Sequence, residues 1–146
     1  MSFDISSLSV TESTELHLKH PTEHTPLFDG DASKPITITV ASQSSREYRE
    51  VVNTISNRRL RREQAAARNG GKNAQAFTVE VAQEESLEML SALCLGSSNL
   101  VYNGKAVKSN ADFRELLSDG KMLWVRSQVD AAVGDLELFI KGSSTR

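Results

Sequence analysis

An α+β fold is expected for this chain, with an N-terminal antiparallel β-hairpin or small sheet followed by a mostly helical domain of about four helices. Three features point to it. Residues 15–20 and 36–40 alternate polar and apolar side chains with period two, as half-buried strands do. From Ser45 onward the apolar residues instead recur every three or four positions, the spacing of one helix face. Clusters of glycine, asparagine, aspartate and proline fall between these segments, where a chain has to turn.

The first strand is Glu15-Leu16-His17-Leu18-Lys19-His20, ended by Pro21, and the residues before it, 1–14, form a docked or frayed flexible arm with sparse Phe3, Ile5, Leu8 and Val10. Asp29-Gly30-Asp31 then turns the chain into the second strand, where Ile36, Ile38 and Val40 share one face and β-branched threonines the other. Ser44 and Glu47 are spaced as a capping box, so a helix is expected from about Ser45, with Tyr48, Val51, Val52 and Ile55 on its apolar stripe. That stripe gives way to Asn57-Arg58-Arg59-Leu60-Arg61-Arg62, and Asn69-Gly70-Gly71 ends the helix in a flexible loop over residues 69–76.

A second helix is expected from about Thr78, with Leu87, Leu90 and Cys94 on one face and closure at Gly96. Its acidic start, Glu80, Glu84, Glu85 and Glu88, suits the positive end of a helix dipole. Asn103-Gly104 between Leu100-Val101-Tyr102 and Lys105-Ala106-Val107 marks a tight hairpin. Asn110 is placed to cap a short helix bearing Phe113, Leu116 and Leu117, stopped by Asp119-Gly120. A final helix is expected from Lys121 toward Lys141, with Met122, Val125, Val129, Val133, Leu136 and Ile140 on its stripe and Trp124, Ala132 and Phe139 widening it. Residues 142–146 form a tail.

A length of 146 residues suits one domain, 1–146, able to bury a core without disulfides or metals. An apolar fraction of 38% with 25% charged residues describes a folding chain, neither a disordered polyampholyte nor a membrane protein. Met1 to Val10 lacks the basic and apolar regions of a secretory signal, and no stretch approaches the roughly 18 apolar residues of a membrane span. The single Cys94 has no internal disulfide partner, which fits a reducing cytosol. A net charge of −2 leaves any electrostatic function to local clustering.

Candidate chemistry is sparse. His17, His20 and His24 are near one another in sequence, but on a strand His17 and His20 point to opposite faces and Pro21 redirects the chain, so no metal and no other cofactor is expected. Cys94, between Leu93 and Leu95, reads as a small core residue and not as a nucleophile. Glu80 to Glu88 are spaced as a solvated helical face, and no nucleophile elbow, phosphate loop or zincin helix is present, so no enzymatic activity is expected.

The basic segment Arg58, Arg59, Arg61, Arg62, Arg68 and Lys72 has Glu63 as its only counter-charge and could hold phosphate. It lacks an interleaved aromatic platform, and the acidic start of the next helix is a neighbour it could pair with, so nucleic acid is not the expected partner. The other candidate surface is the outward part of the C-terminal stripe, Trp124, Val125, Val129, Val133, Leu136, Phe139 and Ile140, which would take a partner helix if it were wider than the core beneath it.

In order, several segments carry a resemblance: Leu16-His17-Leu18-Lys19-His20-Pro21, Pro35-Ile36-Thr37-Ile38-Thr39-Val40, and Ser45-Arg46-Glu47-Tyr48-Arg49 opening a helix that reaches Asn57-Arg58-Arg59. Asn99 through Val107, Phe113-Arg114-Glu115-Leu116, Trp124-Val125, Gln128-Val129 and Phe139 continue it. Together these resemble the tail assembly chaperones of long-tailed, siphovirus-like bacteriophages. The resemblance implies a protein of the host cell cytoplasm that binds the tape measure protein, keeps it soluble, helps recruit tail tube protein directly or through a longer frameshifted form, self-associates, and is absent from the finished virion. The alternatives are a nucleic-acid-binding regulator using the arginine segment and a structural head-tail completion protein.

Overall fold

The computed structural model describes residues 3–68 and 78–140. The architecture is α+β: an antiparallel sheet built largely from the N-terminal part of the chain, followed by helices. Strand β1 (Ser13–His17) pairs antiparallel with β2 (Thr37–Ala41) from Ser13 opposite Ala41 to His17 opposite Thr37. β2 lies in the middle of three strands, because β3 (Cys94–Ser98) pairs with its other edge. Ile38 and Val40 are fully buried there, as their alternation predicts.

β3 corrects the expectation that the second helix runs on to Gly96. Helix α2 (Val79–Leu93) stops before Cys94, and the backbone from Cys94 to Ser98 bonds to β2. Gly96 is a weak helix former, and the open edge of β2 gives this segment's peptide groups a ladder that no local signal announces. A bulge between Thr39 and Val40 absorbs the register mismatch.

Helix α1 (Arg46–Arg68) precedes α2 and packs on it. Its cap is Ser45, not Ser44: the buried Ser45 Oγ accepts from Tyr48 N at 3.0 Å and donates to Ser42 O at 2.7 Å, while Ser44 Oγ lies 2.8 Å from Ser42 Oγ. Thr78 caps α2. The predicted hairpin is present as β4 (Val101–Tyr102) and β5 (Lys105–Ala106), with φ of 52° at Asn103 and 78° at Gly104, the two positive angles that favour this dipeptide.

Helix α3 (Asn110–Ser118) is capped by Ser109, which with Asp112 completes a capping box. The expected cap, Asn110, is turned to a different use: its Nδ2 donates to Ser91 O near the end of α2 at 2.9 Å. The single final helix expected from Lys121 to Lys141 is divided into a 3-10 turn (Gly120–Met122), α4 (Leu123–Val133) and the one-turn α5 (Leu136–Phe139). Gly134 ends α4 and the Asp135 side chain caps α5, so the break has a local cause. Its tertiary cause is Phe139, which the redirected turn buries while Phe139 O accepts from Thr11 N at 2.6 Å.

The core lies between the sheet and the helices, with Leu18, Ile38 and Val40 meeting Leu90, Leu93, Phe113, Leu116, Leu117, Val125 and Val129. Of the arm, Ile5–Leu8 form a 3-10 turn with no buried residue, and Val10 bridges to Ile140, so among the described residues the arm docks at its inner end.

Candidate functional site

The basic end of α1 and the acidic start of α2 face one another. Arg58 grips Glu88 with both terminal guanidinium nitrogens, Nη1 and Nη2, at 2.8 and 3.1 Å, which shows that later α1 residues meet α2 in an antiparallel arrangement with Arg59 and Arg62 opposite Glu85. Arg59 Nε donates to Glu85 Oε1 at 3.0 Å; Arg62 Nη2 and Arg58 Nη1 approach Glu85 Oε2 at 3.5 and 3.9 Å. Glu84 pairs outward with Arg114 of α3 at 2.6 Å. The hydrogen bond from Arg58 holds the Glu88 carboxyl below its ordinary range and raises the Arg58 guanidinium above its own.

Glu85 departs from the solvated face expected for these glutamates, being only 4% exposed. Among the described residues no donor is placed to hydrogen-bond its Oε2, which is held by ion pairs alone. The signal was present in the sequence: Val81, Glu85, Glu88 and Ala92 are spaced by four, three and four, so two glutamates occupy a stripe whose ends are apolar. Beside this cluster, Arg58, Arg61, Arg62 and Ala65 of α1 and Glu80, Val81, Glu84 and Glu85 of α2 line a groove of about 620 Å³.

Three arginines of the basic segment, Arg58, Arg59 and Arg62, are therefore engaged with carboxylates. Arg61 and Arg68 are exposed and make no ion pair among the described residues; Lys72 and the loop expected over 69–76 lie outside those residues, as does the tail 142–146.

The C-terminal stripe is not one surface. Val125, Val129, Val133 and Phe139 are buried in the core and offer nothing to a partner in this fold, because α2, α3 and β2 pack against α4. Trp124 and Ile140 are half-buried, leaving Leu136, at 56% exposure, as the one outward member of the set. Outward apolar residues that the stripe left out are found on the arm, where Phe3 and Ile5 are 70% and 77% exposed and Leu8 is also open, and singly elsewhere, as at Leu60, Val79, Val101 and Leu123. The bonds from Thr11 to Phe139 and the bridge from Val10 to Ile140 hold the inner end of that arm against α5.

The remaining candidates resolve into structural roles. Nε2 of His17 lies 2.7 Å from Leu27 O with its ring edge-on to Phe28, and His20 Nδ1 accepts from the backbone N–H groups of Thr22 and Glu23. No cluster of metal-ligating side chains is found among the described residues. Cys94 is buried, and burial pushes its thiol up to about 12. No described helix is long and apolar enough to cross a membrane. No protein-family model, curated protein or solved structure matches the chain.

Proposed function

We propose that this chain is a tail assembly chaperone of a long-tailed bacteriophage, which binds apolar helical segments of the tape measure protein in the host cytoplasm, keeps it soluble and helps gather tail tube subunits, without catalytic chemistry of its own. The observation that carries this reading is the run of exposed apolar side chains on the arm, Phe3, Ile5 and Leu8, together with exposed Leu136 on α5, the helix against which the inner end of the arm is docked. Large apolar side chains grouped on a surface favour contact with apolar surface elsewhere, and an amphipathic helix supplies it at i, i+3 and i+4 spacing. The family resemblance of the segments from Leu16 to Phe139 supports the same reading.

The engagement of Arg58, Arg59 and Arg62 by Glu85 and Glu88 weighs against the nucleic-acid regulator, since a phosphate would have to compete with carboxylates already in place. Co-expression with a long helical tape measure protein tests the proposal. A soluble complex that co-purifies at low and at high salt is expected, because apolar contacts are not screened. An insoluble tape measure, with this protein retained on nucleic acid at low salt, would overturn it in favour of the regulator, and recovery of this protein in purified virions would favour a structural part.

A further inference from the structure

We infer that the distal half of α1, residues 56–68, is an arm latched onto α2 by charge, which opens from it about a pivot at Ile55 while the proximal half stays fixed in the core. The inference is independent of the proposed function. Both buried residues of α1, Val51 and Ile55, lie in its first ten positions, and the helix then continues for more than three turns with none. Among the contacts that hold those turns are the Arg58–Glu88 clamp and the approach of Arg59 and Arg62 to Glu85.

The interface beside the latch is open to solvent. A groove of about 620 Å³ runs between the two helices at this level, and Glu85 Oε2, on its wall, is buried without a hydrogen bond. An interface flanked by a solvent-open groove, with an incompletely satisfied carboxylate and no buried residue from α1 beyond Ile55, gives up little on opening, which places it at the low-stability end of the molecule. Breaking away also returns Glu85 to water, offsetting part of the lost ion-pair energy.

The latch is also reachable by salt. The side chains of Arg58 and Arg59 are 44% and 50% exposed, so counter-ions approach both guanidinium groups. At about 1 M salt the screening length falls to roughly 3 Å, comparable to the contacts themselves. Opening uncovers Glu85 on α2 and the Arg62 side chain on α1, 4% and 14% exposed in the closed hairpin, and frees the already accessible Arg58 and Arg59 from their carboxylates.

Amide hydrogen exchange on the full chain reads the arm through its unwinding, since a helical segment of this length is marginal in water once detached. In the native protein, amides of residues 57–68 should exchange faster than those of Val51, Val52 and Ile55, and raising salt from low to about 1 M should accelerate the first group alone. The Glu85→Gln, Glu88→Gln double variant should reproduce that acceleration at low salt, by about tenfold, and abolish the further salt response. Exchange of all of α1 as one unit with the core, or distal exchange indifferent to salt, would overturn the inference. If the double variant fails to fold, the salt series on the native chain still decides.

Discussion

Gln128 of α4 brackets the peptide of Lys19: its Oε1 accepts from Lys19 N at 2.9 Å and its Nε2 donates to Lys19 O at 2.8 Å. The side-chain amide thus does what a neighbouring strand would do, for a residue whose other side is already bridged to Pro26. It ties the helical part of the chain to the first β-segment across a separation of 109 residues. Gln128→Ala should lower unfolding free energy by about 1 kcal/mol, two partly exposed hydrogen bonds being worth roughly that. Urea denaturation checks it; an unchanged midpoint would mean that solvent replaces the amide without loss.

Ser45 and Ser44 are adjacent and chemically identical, so they separate a cap from a bystander. Ser45→Ala should cost about 1–2 kcal/mol, because a buried hydroxyl that serves Tyr48 N and Ser42 O is lost. Ser44→Ala should stay within about 0.5 kcal/mol. Equal effects in denaturant titrations would contradict the assigned cap.

Core and surface members of the C-terminal stripe should behave oppositely. Phe139→Ala, emptying a buried site that anchors α5, should destabilise by about 3–5 kcal/mol. Leu136→Ser and Ile5→Ser should leave stability within about 0.5 kcal/mol. Under the proposed function those two surface variants should nevertheless recover less soluble tape measure protein on co-expression, and full recovery with both changed would argue against this surface.

Acid should weaken the fold within a definite window. Folding lowers the carboxyl values of Glu88, through Arg58, of Asp112, mainly through the Ser109 backbone N–H, and of Asp119, mainly through the Tyr102 hydroxyl. Groups depressed in this way stabilise the folded state above their unfolded values, about 4, and lose that contribution as pH falls through the folded values. Thermal midpoints should therefore be level above about pH 5 and decline below about pH 4, with a shallower decline in Asp112→Ala. A flat profile down to pH 2.5 in the native chain would contradict the bonded carboxylates.

Cys94 should be inert to thiol reagents at pH 8 in the folded protein, since its thiol is buried and its ionisation is pushed up to about 12. Reaction should appear only in step with unfolding in denaturant. Rapid native-state labelling would show that the α2–β3 junction opens more readily than its burial implies.

Local chemistry in the sequence determined a good deal. Alternation in residues 36–40 specified β2, Thr78 and the stripe through Leu87 and Leu90 specified α2, and Asn103-Gly104 specified the hairpin, because each is written in neighbours within a few residues. The sequence also placed an acidic helix as the neighbour of the arginine run. Only tertiary structure decided the rest. Cys94–Ser98 became a strand because β2 had an unpaired edge, Phe139 turned inward because Thr11 and the core received it, and Glu85 was buried because arginines from another helix closed over it. In each case the partner lies dozens of residues away: the pairing of Cys94–Ser98 left no mark in the local pattern, and the stripes that carry Glu85 and Phe139 show an inward face without showing what closes over it.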